Sequence, residues 1–145
     1  MTQQDKELLL KDLCARLPYG VMCACGNYNG QLKLVCPEGD YCVLQNSPYA
    51  IETIKPYLRP ISSMTDEEKG ELKLEQEKDE ELFIQVINKS QNGDDSLLGT
   101  VIPHCAEDWA NKNHFDYRGL IEKGLALKAP EGMYNIKKNY KKGEF

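Results

Sequence analysis

Apolar positions at the start of the chain follow a helical period. Five of them fall on one face of a helix: Leu9, Leu10, Leu13, Cys14 and Leu17. Thr2 and Asp5 have the spacing of a capping box, and Pro18 followed by Gly20 is typical of a helix end. The pattern predicts an N-terminal helix over residues 1–17.

The period then changes to two, which is typical of β-strands. Three stretches alternate, "GVMCACG", "QLKLVC" and "YCVLQ", with turn signals at "NYNG", "PEGD" and "NSP". In the second stretch the alternation places Leu32, Leu34 and Cys36 on one face. A fourth strand is expected in "YAIETI", before the prolines of "KPYLRP" extend the backbone. Residues 19–60 are thus predicted to form an antiparallel meander, with an SH3-like barrel as its closed form.

An acidic helix is predicted after the β unit, over residues 65–81. Thr65 and Glu68 form a second capping box, and acidic side chains crowd the first turn, where the helix dipole favours them. Nine acidic residues and three lysines lie between Asp66 and Glu81, so this segment has a charge of −6 in a chain of net charge −5. Such a helix can bury little apolar surface, and we expect it to be exposed or partly disordered.

The last third of the chain regains apolar character and predicts a helical segment over residues 96–134. Pro103 interrupts it, so its firmest part is expected as a helix from about His104 to Asn113. Residues 135–145 contain four lysines and predict a basic, flexible tail. The whole pattern predicts a single α+β domain of 145 residues with an N-terminal helix, a small β unit and C-terminal helices.

Charge and hydropathy narrow the choice of partners. The chain lacks both an apolar run of membrane-spanning length and a basic, then apolar leader. We therefore expect a cytoplasmic location without membrane contact. The remainder of the chain is close to neutral, which disfavours nucleic acid as a partner. A protein partner is favoured over a small molecule, and the sequence leaves the oligomeric state open.

Six cysteines raise the question of disulfides, metal binding or catalysis. In a cytoplasmic setting, free thiols packed as small apolar side chains are expected. The cysteine spacing lacks the paired C-x-x-C knuckles of zinc sites, so we predict no metal and no other cofactor. Cys105 with His114 would be the one nucleophile–base pair, but Cys105 shares a helical face with Trp109 and favours packing.

The stretch "HFDYRG" concentrates functional groups and allows two interpretations. In the functional one, Arg118 clamps an anion, Asp116 orients the imidazole of His114, and Tyr117 stacks on a ring. In the structural one, Asp116 caps a short helix and Arg118 pairs with Glu122 one turn later. The apolar side chains nearby then fill the core: Phe115, Leu120, Ile121 and Leu125. The structural interpretation needs fewer coincidences, and we prefer it.

Several phrases resemble a known family. The opening helix "KELLLKDLCARLPYGV", the junction "IKPYLRPISSMTDEE" and the later stretch "DWANKNHFDYRGLIEKGLALKAPEGMY" are similar to small uncharacterised proteins of Bacteroides-group gut bacteria and their phages. The resemblance covers roughly half of the chain. It implies a phage or prophage context and a cytoplasmic location. That family has no established activity, so the resemblance assigns no catalytic residue.

Common catalytic motifs are missing from the sequence, including a glycine-rich phosphate loop, G-x-S-x-G and H-E-x-x-H. The leading hypothesis is a phage or prophage accessory protein that acts as a non-enzymatic binding or protein-interaction module. Its predicted binding residues are Tyr57, Arg59, His114, Asp116, Tyr117 and Arg118.

Two alternatives stay open. One is a small anion- or nucleotide-binding protein, or an enzyme, centred on His114, Asp116 and Arg118. The other is an acidic mimic of nucleic acid that blocks a host factor through the helix predicted over residues 65–81.

Overall fold

The computed structural model describes residues 1–91 and 105–134. These residues form two compact units: residues 1–63 with 111–134, and Met64–Ala110. The predicted interruption at Pro103, the helix start near His104 and the basic tail over residues 135–145 lie outside the described residues.

Helix α1 (Gln3–Arg16) opens the first unit and begins at the predicted capping box. Thr2 Oγ1 accepts a hydrogen bond from the amide of Asp5 at 3.0 Å, and the Asp5 carboxylate accepts one from the amide of Thr2 at 3.4 Å. A 3₁₀ turn, Leu17–Tyr19, follows and ends at Gly20 in the left-handed conformation (φ 69°). The N-terminal helix is confirmed.

In the described part of the chain, six strands form one mixed, mostly antiparallel sheet with the order β4-β3-β2-β1-β5-β6. The first four strands form an antiparallel meander, β5 pairs antiparallel with β1, and β6 pairs parallel with β5. The strands are β1 (Met22–Cys25), β2 (Tyr28–Cys36), β3 (Tyr41–Leu44), β4 (Ser47–Ala50), β5 (Lys55–Leu58) and β6 (Leu127–Lys128).

The expected barrel closure is wrong, because the sheet is open with β4 and β6 at its edges. After β4 the chain makes a 3₁₀ turn, Ile51–Thr53, and β5 then pairs with β1 on the side away from β2. β4 itself carries Pro48, which has no N–H to donate to a further strand. In the register of β3 and β4, Pro48 lies at a position that does not exchange hydrogen bonds with β3. Its missing N–H therefore costs no hydrogen bond between the two strands.

A β-bulge between Leu32 and Leu34 overturns one sequence prediction. Leu32 pairs with Leu44 and is buried, whereas Leu34 pairs with Val43 and is 47% exposed. Because an extra residue in a strand moves all later side chains to the other face, Leu34 and Cys36 do not share the face of Leu32.

The core of the first unit lies between α1, one face of the sheet and the later turns. Its buried members are Leu9, Leu13, Val21, Cys23, Leu32, Cys42, Leu44, Ile51, Ile54, Leu58, Leu120, Leu125 and Ala126. α1 contributes Leu9 and Leu13 of the predicted face, while Cys14 is exposed.

The second unit contains α2 (Asp66–Gln91) and most of α3 (Cys105–Lys112). α2 starts at the predicted box, in which Thr65 N donates to Glu68 Oε1 at 3.0 Å and Glu68 N donates to Thr65 Oγ1 at 3.2 Å. The helix continues to Gln91, ten residues beyond the predicted end.

α3 is capped from α2. The Asp79 carboxylate accepts hydrogen bonds from Cys105 N at 2.7 Å and Ala106 N at 2.9 Å. Of the segment predicted to be helical over residues 96–134, the described helix covers Cys105–Lys112, and residues 113–134 form turns and β6. Glycines with positive φ at residues 119 and 124 interrupt any helix there. None of the described helices combines the length and apolar character needed to cross a bilayer.

Candidate functional site

The polar centre of the first unit is the carboxylate of Asp12, which lies on α1 and is fully buried. Arg16, one helical turn later, donates from Nε to both carboxylate oxygens at 3.0 and 2.9 Å. Arg118 donates from Nη1 to Asp12 Oδ1 at 2.7 Å. One buried carboxylate therefore holds two guanidinium groups. We call Asp12, Arg16, Tyr117 and Arg118 the arginine cluster.

Arg16 is fully buried and joins α1 to the segment around Phe115. Its Nη2 donates to the carbonyl oxygen of Phe115 at 2.6 Å, and its guanidinium carbon lies 5.6 Å from the ring centre of Tyr117. Nη1 is also buried and has no hydrogen-bond partner among the described residues. A buried N–H without a partner is costly, so this atom has unused binding capacity.

Arg118 lies at the outer side of the cluster, with its side chain 12% exposed. Its guanidinium carbon is 4.6 Å from the ring centre of Tyr117, whose hydroxyl donates to Asn111 Oδ1 at 3.1 Å. The predicted ion pair of Arg118 is with Glu122, but its ion pair in the structure is with Asp12. The buried carboxylate of Asp12 attracts the guanidinium of Arg118 more strongly than the exposed carboxylate of Glu122 does, because water screens the exposed charge more.

The predicted helix after Asp116 is absent, because residues 117–124 form turns, so Asp116 is not the predicted N-cap of a helix. Its carboxylate accepts hydrogen bonds from Leu120 N at 2.8 Å and from Ile121 N at 3.0 Å. Phe115, Leu120 and Leu125 are buried as predicted. The Asp116 carboxylate thus stabilises a turn and is not hydrogen-bonded to the imidazole of His114.

Arg59 joins the end of β5 to the same segment through its backbone. Its N–H donates to the carbonyl oxygen of His114 at 2.7 Å, and its carbonyl accepts from Asp116 N at 2.9 Å. Its guanidinium carbon lies 4.2 Å from the ring centre of Phe115, and Nη1 donates to the carbonyl oxygen of Asn113 at 3.3 Å. These contacts fix residues 113–116 against the sheet.

His114 is buried, in the left-handed conformation (φ 64°), and stacked on Tyr134 with ring centres 3.7 Å apart. Burial, with the positive charges of Arg16 and Arg59, lowers its pKa to about 4. The imidazole is therefore neutral near pH 7. Its Nδ1 is buried without a hydrogen-bond partner among the described residues.

The Tyr134 hydroxyl lies between two strands. It accepts from Met22 N at 2.9 Å and donates to the carbonyl oxygen of Tyr57 at 2.7 Å, so it replaces a direct backbone hydrogen bond between β1 and β5. Burial raises the pKa of this phenol. The side chain of Tyr57 points elsewhere, and its hydroxyl donates to Asn29 Oδ1 at 2.8 Å.

The structure brings five of the six predicted binding residues into one region of the first unit, and Tyr57 contributes its backbone there while its side chain contacts β2. Sequence reasoning missed Asp12, Arg16 and Tyr134. The i, i+4 spacing of Asp12 and Arg16 is a signal for an ion pair, but on an amphipathic helix it reads as ordinary solvated polar residues.

The cysteines show no sign of activation. All six are free, and Cys23 and Cys42 are buried in the core. Burial raises the pKa of Cys42 to about 12. A hydrogen bond to Asp79 raises the pKa of Cys105, which is opposite to the change that a nucleophilic thiolate needs. Within the described ranges, no three side chains of His, Cys, Asp or Glu converge as metal ligands.

A second candidate surface lies at the β4 edge of the sheet. A groove of about 630 Å³ is lined by Gly39, Asp40, Tyr41, Val43, Pro48, Tyr49 and Ala50. We call it the β3–β4 groove. Leu34, paired with Val43, extends its apolar surface on the same face of the sheet. Tyr49 pairs with the buried Cys42 and packs toward the core, where it stacks on Tyr28 with ring centres 5.6 Å apart.

Comparisons with protein-family models, with curated proteins and with solved structures found no match to this chain. The arginine cluster and the β3–β4 groove are therefore the two candidates for a functional role.

Proposed function

We propose that this protein is a non-enzymatic protein-interaction module, acting as a phage or prophage accessory protein, and that its β3–β4 groove binds an extended apolar segment of a partner protein. The phage or prophage context rests on the sequence resemblance alone. The binding role rests on the exposed apolar surface around Leu34, which is the observation that carries the proposal.

The bulge in β2 is the reason that this surface exists. Without it, Leu34 would face the core with Leu32; with it, Leu34 joins Val43 on the opposite face. Large apolar side chains grouped on a surface are characteristic of interaction sites. The aromatic side chain of Tyr41 lies on the same face of β3 as Val43 and lines the adjoining groove, and rigid aromatic groups are frequent at such sites.

The chemistry of the β4 edge favours recognition through side chains. A partner strand added to this edge would need backbone donors from β4, and Pro48 supplies none. An extended segment that lies in the groove instead meets the ring of Tyr41 and the side chain of Val43, which share one face of β3. The occupant is therefore expected to insert apolar side chains.

The contacts of the functional groups between residues 114 and 134 support a non-enzymatic role. The functional groups of Asp116, Arg118 and Tyr134 bond to the protein's own chain, and His114 is buried against Tyr134. A general base needs access to a substrate proton. These side chains serve to join α1, the sheet and residues 113–134.

The acidic-mimic hypothesis stays a prediction. α2 carries exposed acidic side chains along its first turns, as a solvated helix does. The anion-binding alternative draws support from Arg118, which is partly exposed and uses Nη1 alone in hydrogen bonding among the described residues.

Site-specific photo-crosslinking in host cells tests the proposed function. A photoreactive amino acid at Leu34 is expected to give a discrete adduct that mass spectrometry identifies as a partner protein. Introducing Val43→Glu into the same chain should abolish the adduct, because a carboxylate cannot enter an apolar interface without loss of hydration.

Lys128, exposed on the opposite edge of the sheet, is the matched control position. Identical adducts from positions 34 and 128, or an adduct that survives Val43→Glu in a chain with native circular dichroism, would show that the groove is not the binding surface.

A further inference from the structure

The arginine cluster has more positive charge than its own carboxylate can balance. Asp12 is shared by Arg16 and Arg118, so one carboxylate faces two guanidinium groups. Arg16 is fully buried and Asp12 is fully buried, so solvent does not screen this imbalance well. An anion next to the two guanidinium groups would neutralise the excess.

Donors remain for such an anion. Among the described residues, Arg118 uses only Nη1 in hydrogen bonding, and its Nε and Nη2 are left for a ligand. Arg16 uses Nε and Nη2, and its Nη1 is fully buried, so Arg16 contributes positive charge behind Arg118 and Arg118 contributes the accessible donors. Both side chains contact the same oxygen of Asp12, so their guanidinium groups lie side by side.

We propose that Arg118, with Arg16 behind it, forms a binding site for a phosphate-type oxyanion. Guanidinium groups match phosphate because their N–H groups lie in a planar fork that meets two oxygens at once. Arg118 is the point of entry, since its side chain is the partly exposed member of the pair. The site is separate from the β3–β4 groove and does not depend on the proposed function.

Two neighbours support the assignment. The ring of Tyr117 lies against both guanidinium groups, 4.6 Å from the carbon of Arg118 and 5.6 Å from that of Arg16, and holds them in place from one side. His114 is a second neighbour of Arg16: burial first, and then the charges of Arg16 and Arg59, lower its pKa, so the imidazole adds no positive charge near pH 7.

The ligand has either of two sources with the same chemistry: free inorganic phosphate or the phosphoryl group of a nucleotide. The carboxylate of Asp12 is hydrogen-bonded to both guanidinium groups, which therefore lie between it and the anion. A neutral ligand gains nothing from the excess charge, so we expect discrimination in favour of anions.

NMR titration of the full chain tests the site through the Nε–H resonance of Arg118. Sodium phosphate is added at constant ionic strength, with sodium chloride as the reference. A saturable shift with phosphate and none with chloride is expected. Arg118→Gln should weaken binding about tenfold or more, because it removes charged hydrogen bonds, as followed by the backbone amides of residues 116–119.

Lys33→Gln removes the same charge from an exposed position on β2 and should leave phosphate binding unchanged. AMP in place of phosphate separates the sources: tighter binding of AMP assigns a nucleotide, and equal or weaker binding assigns free phosphate. The proposal is overturned if the native chain shows no saturation, or if Arg118→Gln or Arg118→Lys binds phosphate as the native chain does. The native titration decides the question even where a variant does not fold.

Discussion

The hydroxyl of Tyr134 is a single atom on which two strands depend. It satisfies both Met22 N–H and the Tyr57 carbonyl, where β1 and β5 have no direct bond. Tyr134→Phe should lower the free energy of unfolding by about 1–3 kcal/mol, because it leaves a partly buried donor and acceptor without a partner. Urea denaturation followed by circular dichroism measures the change.

Tyr19→Phe is the matched control for this substitution. Tyr19 is exposed and its hydroxyl makes no hydrogen bond within the described part of the chain, so its loss should change stability by less than about 0.5 kcal/mol. Equal effects of the two substitutions would show that the Tyr134 hydroxyl does not join the strands.

His114 gives the fold a defined dependence on pH. Its pKa is about 4 in the folded protein and 6.5 in the unfolded chain, so the unfolded state binds a proton first as the pH falls. The stabilisation from the neutral imidazole is complete above pH 6.5 and is lost as the pH falls toward 4. The loss should amount to roughly 3 kcal/mol between pH 7 and pH 4.

His114→Asn isolates this contribution, because asparagine tolerates the left-handed backbone at residue 114 and does not titrate. Unfolding free energies of both proteins are measured from pH 7 to pH 4. The difference between them should shrink as the pH falls, and a constant difference would mean that His114 titrates normally in the folded protein.

At the scale of elements, Asp79 makes the start of α3 depend on α2. Its carboxylate accepts hydrogen bonds from Cys105 N and Ala106 N, two amides at the N-terminal end of a helix of eight residues. Asp79→Ala should remove the cap, worth about 0.5–2 kcal/mol. Amide exchange at Cys105 and Ala106 is expected to speed up accordingly.

The neighbouring Glu80 is exposed and provides the control. Glu80→Ala removes the same charge from α2 but no cap, so exchange at Cys105 and Ala106 should stay as in the native protein. Faster exchange in Glu80→Ala would mean that the overall charge of α2, and not the Asp79 hydrogen bonds, holds the start of α3.

Elements with local signals could be predicted from the sequence. Thr2 with Asp5 and Thr65 with Glu68 fix helix starts within four residues, and both boxes form. The bulge at Leu32 and Leu34 could not be predicted, because the alternation itself gives no sign of an extra residue. β6 has two residues and pairs with a strand about 70 positions earlier, so no local pattern marks it.

The candidate site was predictable only in part, for the same reason. A local structural role for Asp116 was predicted, and its carboxylate does bond amides four and five residues away, but these amides belong to a turn and not to the predicted helix. The partner of Arg118 is Asp12, at the other end of the described chain, and no periodicity connects the two. Contacts between distant residues become visible only when the fold is known.

At the scale of the whole molecule, Asp12 holds together segments that are far apart in sequence. Asp12→Asn would leave Arg16 and Arg118 buried or half-buried without a counter-charge, and removal of one member of a buried ion pair typically costs about 3–5 kcal/mol. We expect a loss of this size in the free energy of unfolding measured by urea denaturation. Glu7→Gln, at an exposed position on the same helix, is the control and should leave the free energy of unfolding nearly unchanged.

Because the excess positive charge grows in Asp12→Asn, phosphate should stabilise this variant more than it stabilises the native chain, at equal ionic strength. A variant that is as stable as the native protein would show that the two arginines do not depend on Asp12, and both the ion-pair account and the charge argument for the oxyanion site would then be wrong.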